Sequence, residues 1–283
     1  MGVILRPRIL QRDVKIDADF YEFFGYSLAD LYKKYDTEFK SLPSHELNDG
    51  EWSTSCLNKY CANHASIDKE SDIIKVYSSD EFSILNRCCS MHDDFFTAQQ
   101  SRFSGWYDEE QHCGFKALDY FKDMSNVRML DLGCGCPVQT MAIYMQGAKV
   151  DFSDVRSKYA DYFRFLVNKY DLKDISFIDS SEETDYGKET YNYVWCSEML
   201  EHTAEPLVYL KKLYDALQPG GVAFISITFG GGGLHLERNN ARYGNLQTPI
   251  AYQVGFIPAK QLLGQSAKLD YSISVVNHLW TKE

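Results

Sequence analysis

Between about Gly114 and Phe229, short β-rich apolar runs alternate with amphipathic helical patterns, and this alternation restricts the fold more than any other feature of the chain. Strands separated by helix-length connections must run parallel, so the pattern predicts βαβ units and an α/β sheet. The expected strands are Val127 to Leu132, Ala148 to Phe152, Ile175 to Ile178, Tyr193 to Cys196 and Val222 to Thr228. Helices are expected from about Val138 to Gln146, stopped by Gly147, then along Val155, Tyr159, Tyr162, Phe163, Leu166, Val167 and Tyr170. A third follows Pro206, which suits a first helical position, and ends at Gln218-Pro219-Gly220-Gly221. Beyond Thr228 the four glycines Gly230 to Gly233 read as a loop, with a helix near Pro258 to Gln265 and a strand near Tyr271 to Val276. The tail after that strand is short for a closing hairpin.

Residues 1–110 have another texture. Phe20, Phe23, Phe24, Leu28, Leu31 and Tyr32 recur at spacings of three and four, which predicts a small helical region interrupted by a polar stretch around Ser41 to Ser55. The 283 residues therefore divide into a helical region, 1–110, and an α/β domain, 111–283.

Charge and targeting signals narrow the partners. With 29 Lys and Arg against 40 Asp and Glu, the net charge of −11 is poorly suited to neutralising a row of phosphates, so no nucleic-acid partner is expected. The opening MGVILRPRILQR has too short an apolar run for a secretory signal, and there is no lipidation box or long apolar span. The expectation is a cytoplasmic protein without a membrane partner, whose eight cysteines are free thiols. Oligomeric state is left open.

In an open parallel sheet, ligands bind beyond the carboxyl ends of the strands near the point where strand order reverses. Those ends carry Asp131-Leu132-Gly133-Cys134-Gly135, then Asp154, then Asp179-Ser180, then Cys196-Ser197-Glu198. Glycines admit a ligand close to the backbone, and a carboxylate after the second strand can accept both hydroxyls of a ribose. The dinucleotide fingerprint fails, because the position of its third glycine is Val138. Asp131 beside the loop suits a cationic ligand better than a pyrophosphate, so a nucleoside with an ammonium or sulfonium group is expected rather than NAD.

The runs LDLGCGCP, GAKVDFSDV, YNYVWCSEMLEH and LQPGGVAFIS, in that order, resemble the motifs of class I S-adenosylmethionine-dependent methyltransferases over roughly residues 114 to 230. The resemblance implies a Rossmann-like, mostly parallel sheet of the seven-stranded type with a helical N-terminal cap. It implies S-adenosylmethionine as cofactor, S-adenosylhomocysteine as product, and a small-molecule acceptor methylated on oxygen, nitrogen or carbon. Asp131, Gly133, Cys134 and Gly135 would hold the methionine moiety, and Asp154 the ribose diol, with Asp151 as the alternative. Val155 would pack on adenine, Asp179 and Ser180 would reach its amine, and Cys196 and Ser197 would complete the site. Two departures stand out: Pro137 replaces a loop glycine and is expected at a helix N1 position, and Asn192 replaces an acid at the entrance of the fourth strand.

Methyl transfer is an in-line displacement, so alignment and exclusion of water do most of the work. An acceptor hydroxyl or ammonium also needs a base, and Glu198, Glu201 and His202 stand just after the fourth strand as candidates, with orientation of a loop as the alternative role of His202. Two other readings are a silent cofactor-binding subunit that activates a partner, suggested by Pro137 and the short tail, and a methyltransferase of protein or RNA.

Cys56, Cys61 and His64, with Cys88, Cys89 and His92, lack the usual zinc-ligand spacing, and no metal is expected. Cys134 and Cys136 read as small buried thiols. Arg102 to Tyr107 is either a lid or packing, and His112, His235 and Arg238 are either acceptor-pocket residues or solvated.

Overall fold

The computed structural model describes residues 14–26, 69–77, 124–135, 137–181, 183–227, 235–236, 239, 242, 247–259 and 279–283. Its centre is a seven-stranded sheet. The strands are β1 (Arg128–Leu132), β2 (Lys149–Asp154), β3 (Ile175–Asp179), β4 (Tyr191–Ser197), β5 (Leu217–Ser226), β6 (Ile257–Pro258) and β7 (Leu279–Thr281). Their order is β3-β2-β1-β4-β5-β7-β6. Strands β1 to β5 are parallel, while β7 runs antiparallel to both β5 and β6. Chain order reverses between β1 and β4, which puts the ligand-binding crevice of such sheets at their carboxyl ends.

The helices are α1 (Val14–Phe24), α2 (Glu70–Tyr77), α3 (Val138–Tyr144), α4 (Lys158–Lys169), α5 (Pro206–Ala216) and α6 (Gln247–Val254), with a 3₁₀ turn at Leu200–His202. Alternate residues of each central strand feed two separate cores, as burial on both faces of a parallel sheet requires. Met129, Val150, Phe152, Trp195 and Phe224 pack with Tyr162, Phe163 and Leu166 of α4 on one face. Leu130, Leu132, Val194, Cys196 and Ile225 pack with Leu210 and Leu213 of α5 on the other.

Local chemistry sets the ends of the elements. Ser157 caps α4 by accepting the amide of Ala160 at 3.0 Å, and Gly147, at φ +103°, turns the chain from α3 into β2. Pro206 occupies the first turn of α5 as expected. Pro137 stands at the cap of α3, one residue before the expected N1, and its carbonyl accepts the amide of Met141 at 2.7 Å.

Most strand bounds shift by one or two residues from the sequence reading, and three differences bear on the site or on the closure of the sheet. β2 extends to Asp154 because pairing with β3 continues through Asp154 and Asp179. β5 begins at Leu217, so Gln218 to Gly221 is strand rather than helix terminator; Leu217 pairs with Tyr191, and a register shift then absorbs the glycines. Pro258 closes β6, since Ile257 and Pro258 pair with Thr281 and Trp280, and the rest of the helix expected to Gln265 falls beyond Ala259, outside the described residues. The sheet is thus completed by Leu279–Thr281 at the end of the chain, and that tail suffices for the last antiparallel strand. Residues 260–278, including the expected strand near Tyr271, lie outside the described residues.

The two described N-terminal helices dock at different places. α1 lies along α4, where Phe23 and Phe24 pack on Tyr162 at 5.3 Å and Lys169 pairs with Asp19 at 2.6 Å. α2 buries Ile73 and Val76, and Glu70 accepts the amide of Ala204, just before α5, at 2.6 Å. Among the described residues no helix is long and apolar enough to cross a membrane.

Candidate active site

The carboxyl ends of β1 and β2 are tied together through their backbones. The carbonyl of Ser153 accepts the amides of Gly133 at 2.7 Å and Cys134 at 3.2 Å, so the loop after β1 folds back over β2. Gly133 has φ +71°, and a Cβ there would come within 2.2 Å of Met199 Cγ. The glycine is required both by its left-handed conformation and by the side chain lying against it.

Asp154 closes this loop from the other side. One carboxylate oxygen accepts the amide of Gly135 at 2.7 Å and lies 3.7 Å from the Cys134 thiol, and the other accepts the amide of Val155 at 2.7 Å. The half-buried group's Oδ1 keeps a further lone pair for a ligand hydroxyl, while Oδ2 already accepts from an amide and, weakly, from the thiol. Burial raises its pKa, opposed in part by the two amides.

Asp131 is buried, and its carboxylate accepts the hydroxyl of Thr140 at 2.6 Å. Burial pushes its pKa up to about 7, with the nearby charge of Asp154 adding to the rise. An acid this costly to ionise fits a site whose ligand brings a positive charge. The ammonium of a bound amino acid would do so.

At the tip of β3, Asp179 is exposed and bonded to Arg156 at 3.0 Å and Arg164 at 2.6 Å, so its carboxylate faces arginines of the β2–α4 connection and of α4. Ser180 donates its amide to the carbonyl of Asp154 at 2.8 Å. Its hydroxyl lies 3.1 Å from that of Tyr186, which also meets Ser153 Oγ at 2.9 Å. Tyr186 is a buried link between the ends of β2 and β3 that the sequence reading did not single out. Its one signal there is an aromatic side chain in an otherwise polar connection.

Asp151, the alternative to Asp154, is engaged elsewhere. Its carboxylate accepts both Arg128 Nη2 at 2.7 Å and the Tyr191 hydroxyl at 2.8 Å, away from the loop. Asn192 bridges strands at the opposite end of the sheet, accepting the amide of Arg128 and donating to Gln218, both at 2.9 Å.

Across the switch point the residues change character. Cys196 is fully buried within β4, and Ser197 is half-buried at its end. Glu198 follows in a left-handed conformation, φ +52°, with its amide bonded to the carbonyl of Ser226 and its carboxylate accepting the Ser226 hydroxyl. A non-glycine residue held at positive φ is strained, and such strain concentrates at functional sites. Glu201 is fully buried, while His202 is half-buried and meets the ring of His235 edge to face at 4.9 Å. His235, Glu201 and His202 are thus brought together. Cys136, Arg102 to Tyr107, His112, Arg238, and Cys56, Cys61 and His64 with Cys88, Cys89 and His92 lie outside the described residues.

A mostly parallel sheet that gathers a glycine loop, a buried acid and a half-buried one at its switch point defines the Rossmann-like class of nucleoside-binding folds. The methyltransferase-domain family model matches residues 95–262, and the chain belongs to that family. The chain is 25% identical over 159 residues to the ubiquinone biosynthesis O-methyltransferase of Rickettsia bellii (strain OSU 85-389), covering 56% of this chain and 59% of that protein. It is 31% identical over 115 residues to the enzyme of the same name from Vibrio cholerae serotype O1 (strain M66-2), covering 38% and 46%. The matched part is thus about half the length of these curated relatives. A SAM-dependent methyltransferase from Aquifex aeolicus aligns at 18% identity with a TM-score of 0.43, covering 58% of this chain and 88% of that one.

Proposed function

We propose that the protein transfers the methyl group of S-adenosylmethionine to a small-molecule acceptor. The observation that carries the proposal is the pairing of buried Asp131, pushed up to about 7, with Asp154, whose carboxylate is already aimed by the amides of Gly135 and Val155. Asp131 neutralises the ammonium of the methionine tail, beside the backbone of Gly133, Cys134 and Gly135. Asp154 accepts the two ribose hydroxyls, Val155 packs on adenine, and Ser180 and Asp179 border the adenine amine. Ser197 forms the β4 side of the cofactor site, with Cys196 behind it in the core rather than against the ligand. The cofactor supplies an electrophilic methyl group on sulfur.

On the acceptor side, Glu198, Glu201 and His202 orient the acceptor and relieve it of a proton where it carries one. The printed names of the curated relatives favour oxygen as the methylated atom. We assign residues 111–283 to the cofactor-binding domain and residues 1–110 to a substrate cap. The contact of Glu70 with Ala204 supports that cap by bringing α2 to the acceptor side.

Calorimetry with S-adenosylhomocysteine tests the cofactor reading, with one molecule bound per chain as the expected result. Absence of any binding heat, together with no transfer of labelled methyl to hydroxylated small molecules, would end it.

A further inference from the structure

The cluster on the acceptor side has the composition and spacing of a metal centre. One ligand atom from each of Glu201, His202 and His235 lies within 4.8 Å of the others. Ligands on one divalent ion stand up to about 4 Å apart, given metal-ligand bonds of about 2 Å, so small side-chain rotations close the set. Glu201 is fully buried, so the set includes a carboxylate held away from bulk water.

The cluster joins two distant stretches of chain, and both are held in place. The amide of Leu236 donates to the carbonyl of Glu201 at 3.1 Å, which fixes His235 over the turn. Asn239, itself buried, donates to the carbonyl of Thr203 at 2.5 Å. The ligand set therefore stands on a braced frame, and both imidazoles remain half-buried rather than sealed.

We propose that Glu201, His202 and His235 bind one divalent transition-metal ion. Two imidazoles and one carboxylate suit zinc, cobalt, manganese or iron(II), whereas magnesium and calcium prefer an all-oxygen set. Three protein ligands leave a coordination position for a further group, as in catalytic rather than structural sites. Glu198 lies outside this set, and one of its carboxylate oxygens accepts the Ser226 hydroxyl. The ion site itself is independent of the methyltransferase reading. Its use rests on that reading: the open position takes an oxygen of the acceptor and so selects hydroxyl- or carboxylate-bearing molecules. Glu201 and His202 then orient the acceptor through the ion, and Glu198 remains the group that takes its proton. Met199, beside Glu198, reaches Gly133 and joins this turn to the cofactor loop.

The test is a titration of the chelator-treated full chain with cobalt(II), followed by visible absorption, with zinc(II) competition measured by calorimetry. The expected result is one ion per chain with d–d bands of a nitrogen- and oxygen-ligated site, displaced by zinc. Glu201→Gln and His235→Ala each lower the affinity by at least about 10-fold. Melting curves and S-adenosylhomocysteine binding of the same variants separate ligand loss from misfolding; His235→Gln replaces His235→Ala should the latter not fold. Cobalt affinity unchanged in folded variants overturns the proposal, as does magnesium binding as tightly as zinc. Loss of cofactor binding in the wild type, with the metal still bound, would instead overturn the cofactor reading alone.

Discussion

The two halves of the sheet's carboxyl edge are built differently. On the β1–β3 side, polar groups are joined by bonds between neighbouring strand tips: Ser153 to Gly133 and Cys134, Asp154 to Gly135, Ser180 to Asp154. On the β4–β5 side the turn after β4 is held by distant parts of the chain, Glu70, Ser226, Leu236 and Asn239. The first half is a compact motif that the sheet itself assembles. The second depends on what the rest of the chain brings to it, so that is where differences in acceptor can arise without disturbing the cofactor half.

The largest effect is expected where the halves touch. Gly133→Ala puts a side chain on a left-handed residue and into Met199, at a cost of about 2–5 kcal/mol. Chemical denaturation reads it, and wild-type stability in this variant would break the link between Gly133 and Met199.

Asp131→Asn comes next, weakening binding of a cationic cofactor by about 2–4 kcal/mol through loss of a buried charge partner. Its pH dependence sharpens the assignment. With a folded pKa of about 7 against an ordinary value of 3.8, the folded unliganded protein keeps a proton that the unfolded chain gives up between those values. Relative to Asp131→Asn, the wild type should therefore lose stability as pH rises from about 4 to about 7, while its cofactor affinity rises over the upper part of that range. Melting and calorimetry across pH check both, and parallel profiles for the two proteins would remove Asp131 from the role.

Asp154→Ala should weaken cofactor binding by about 1–3 kcal/mol. Asp151→Asn should leave binding unchanged, since its partners are Arg128 and Tyr191. The reverse order in calorimetry would exchange the two acids.

Tyr186→Phe is the smallest change on the cofactor half. It removes the phenol that joins Ser153 to Ser180 and should cost about 1–2 kcal/mol of stability, with a rise in cofactor KM and little change in kcat. An unmoved melting point would mean that the serines find other partners.

The cofactor half was largely legible before the fold was described, because its groups lie within a few residues of strand ends and strand ends follow from hydropathy. Asp131 and Asp154 both stand where the sequence places them. The acceptor half was legible only in part. Glu198, Glu201 and His202 were candidates, but nothing local announces that Glu198 is left-handed or that His235 meets His202. Tyr186 was missed for the same reason, since its partners sit 33 residues before it on β2 and six residues before it, just past β3. The misread ends of β2, β5 and β6 share one cause. Pairing with a neighbour extended a strand through residues whose own preference is for turns or helices, such as Pro219, Gly220 and Pro258.

What the sequence determined by itself is the alternation of strands and helices, and with it the parallel sheet, the glycine loop and the acids at its edge. Periodicity and loop chemistry are local properties, and parallel strands joined by helices admit few arrangements. Only the tertiary structure decided which acid faces the loop, how β7 and β6 close the sheet, and which side chains gather around Glu201. Those outcomes depend on contacts between residues far apart in the chain, whose energies exist only once the sheet has brought them together.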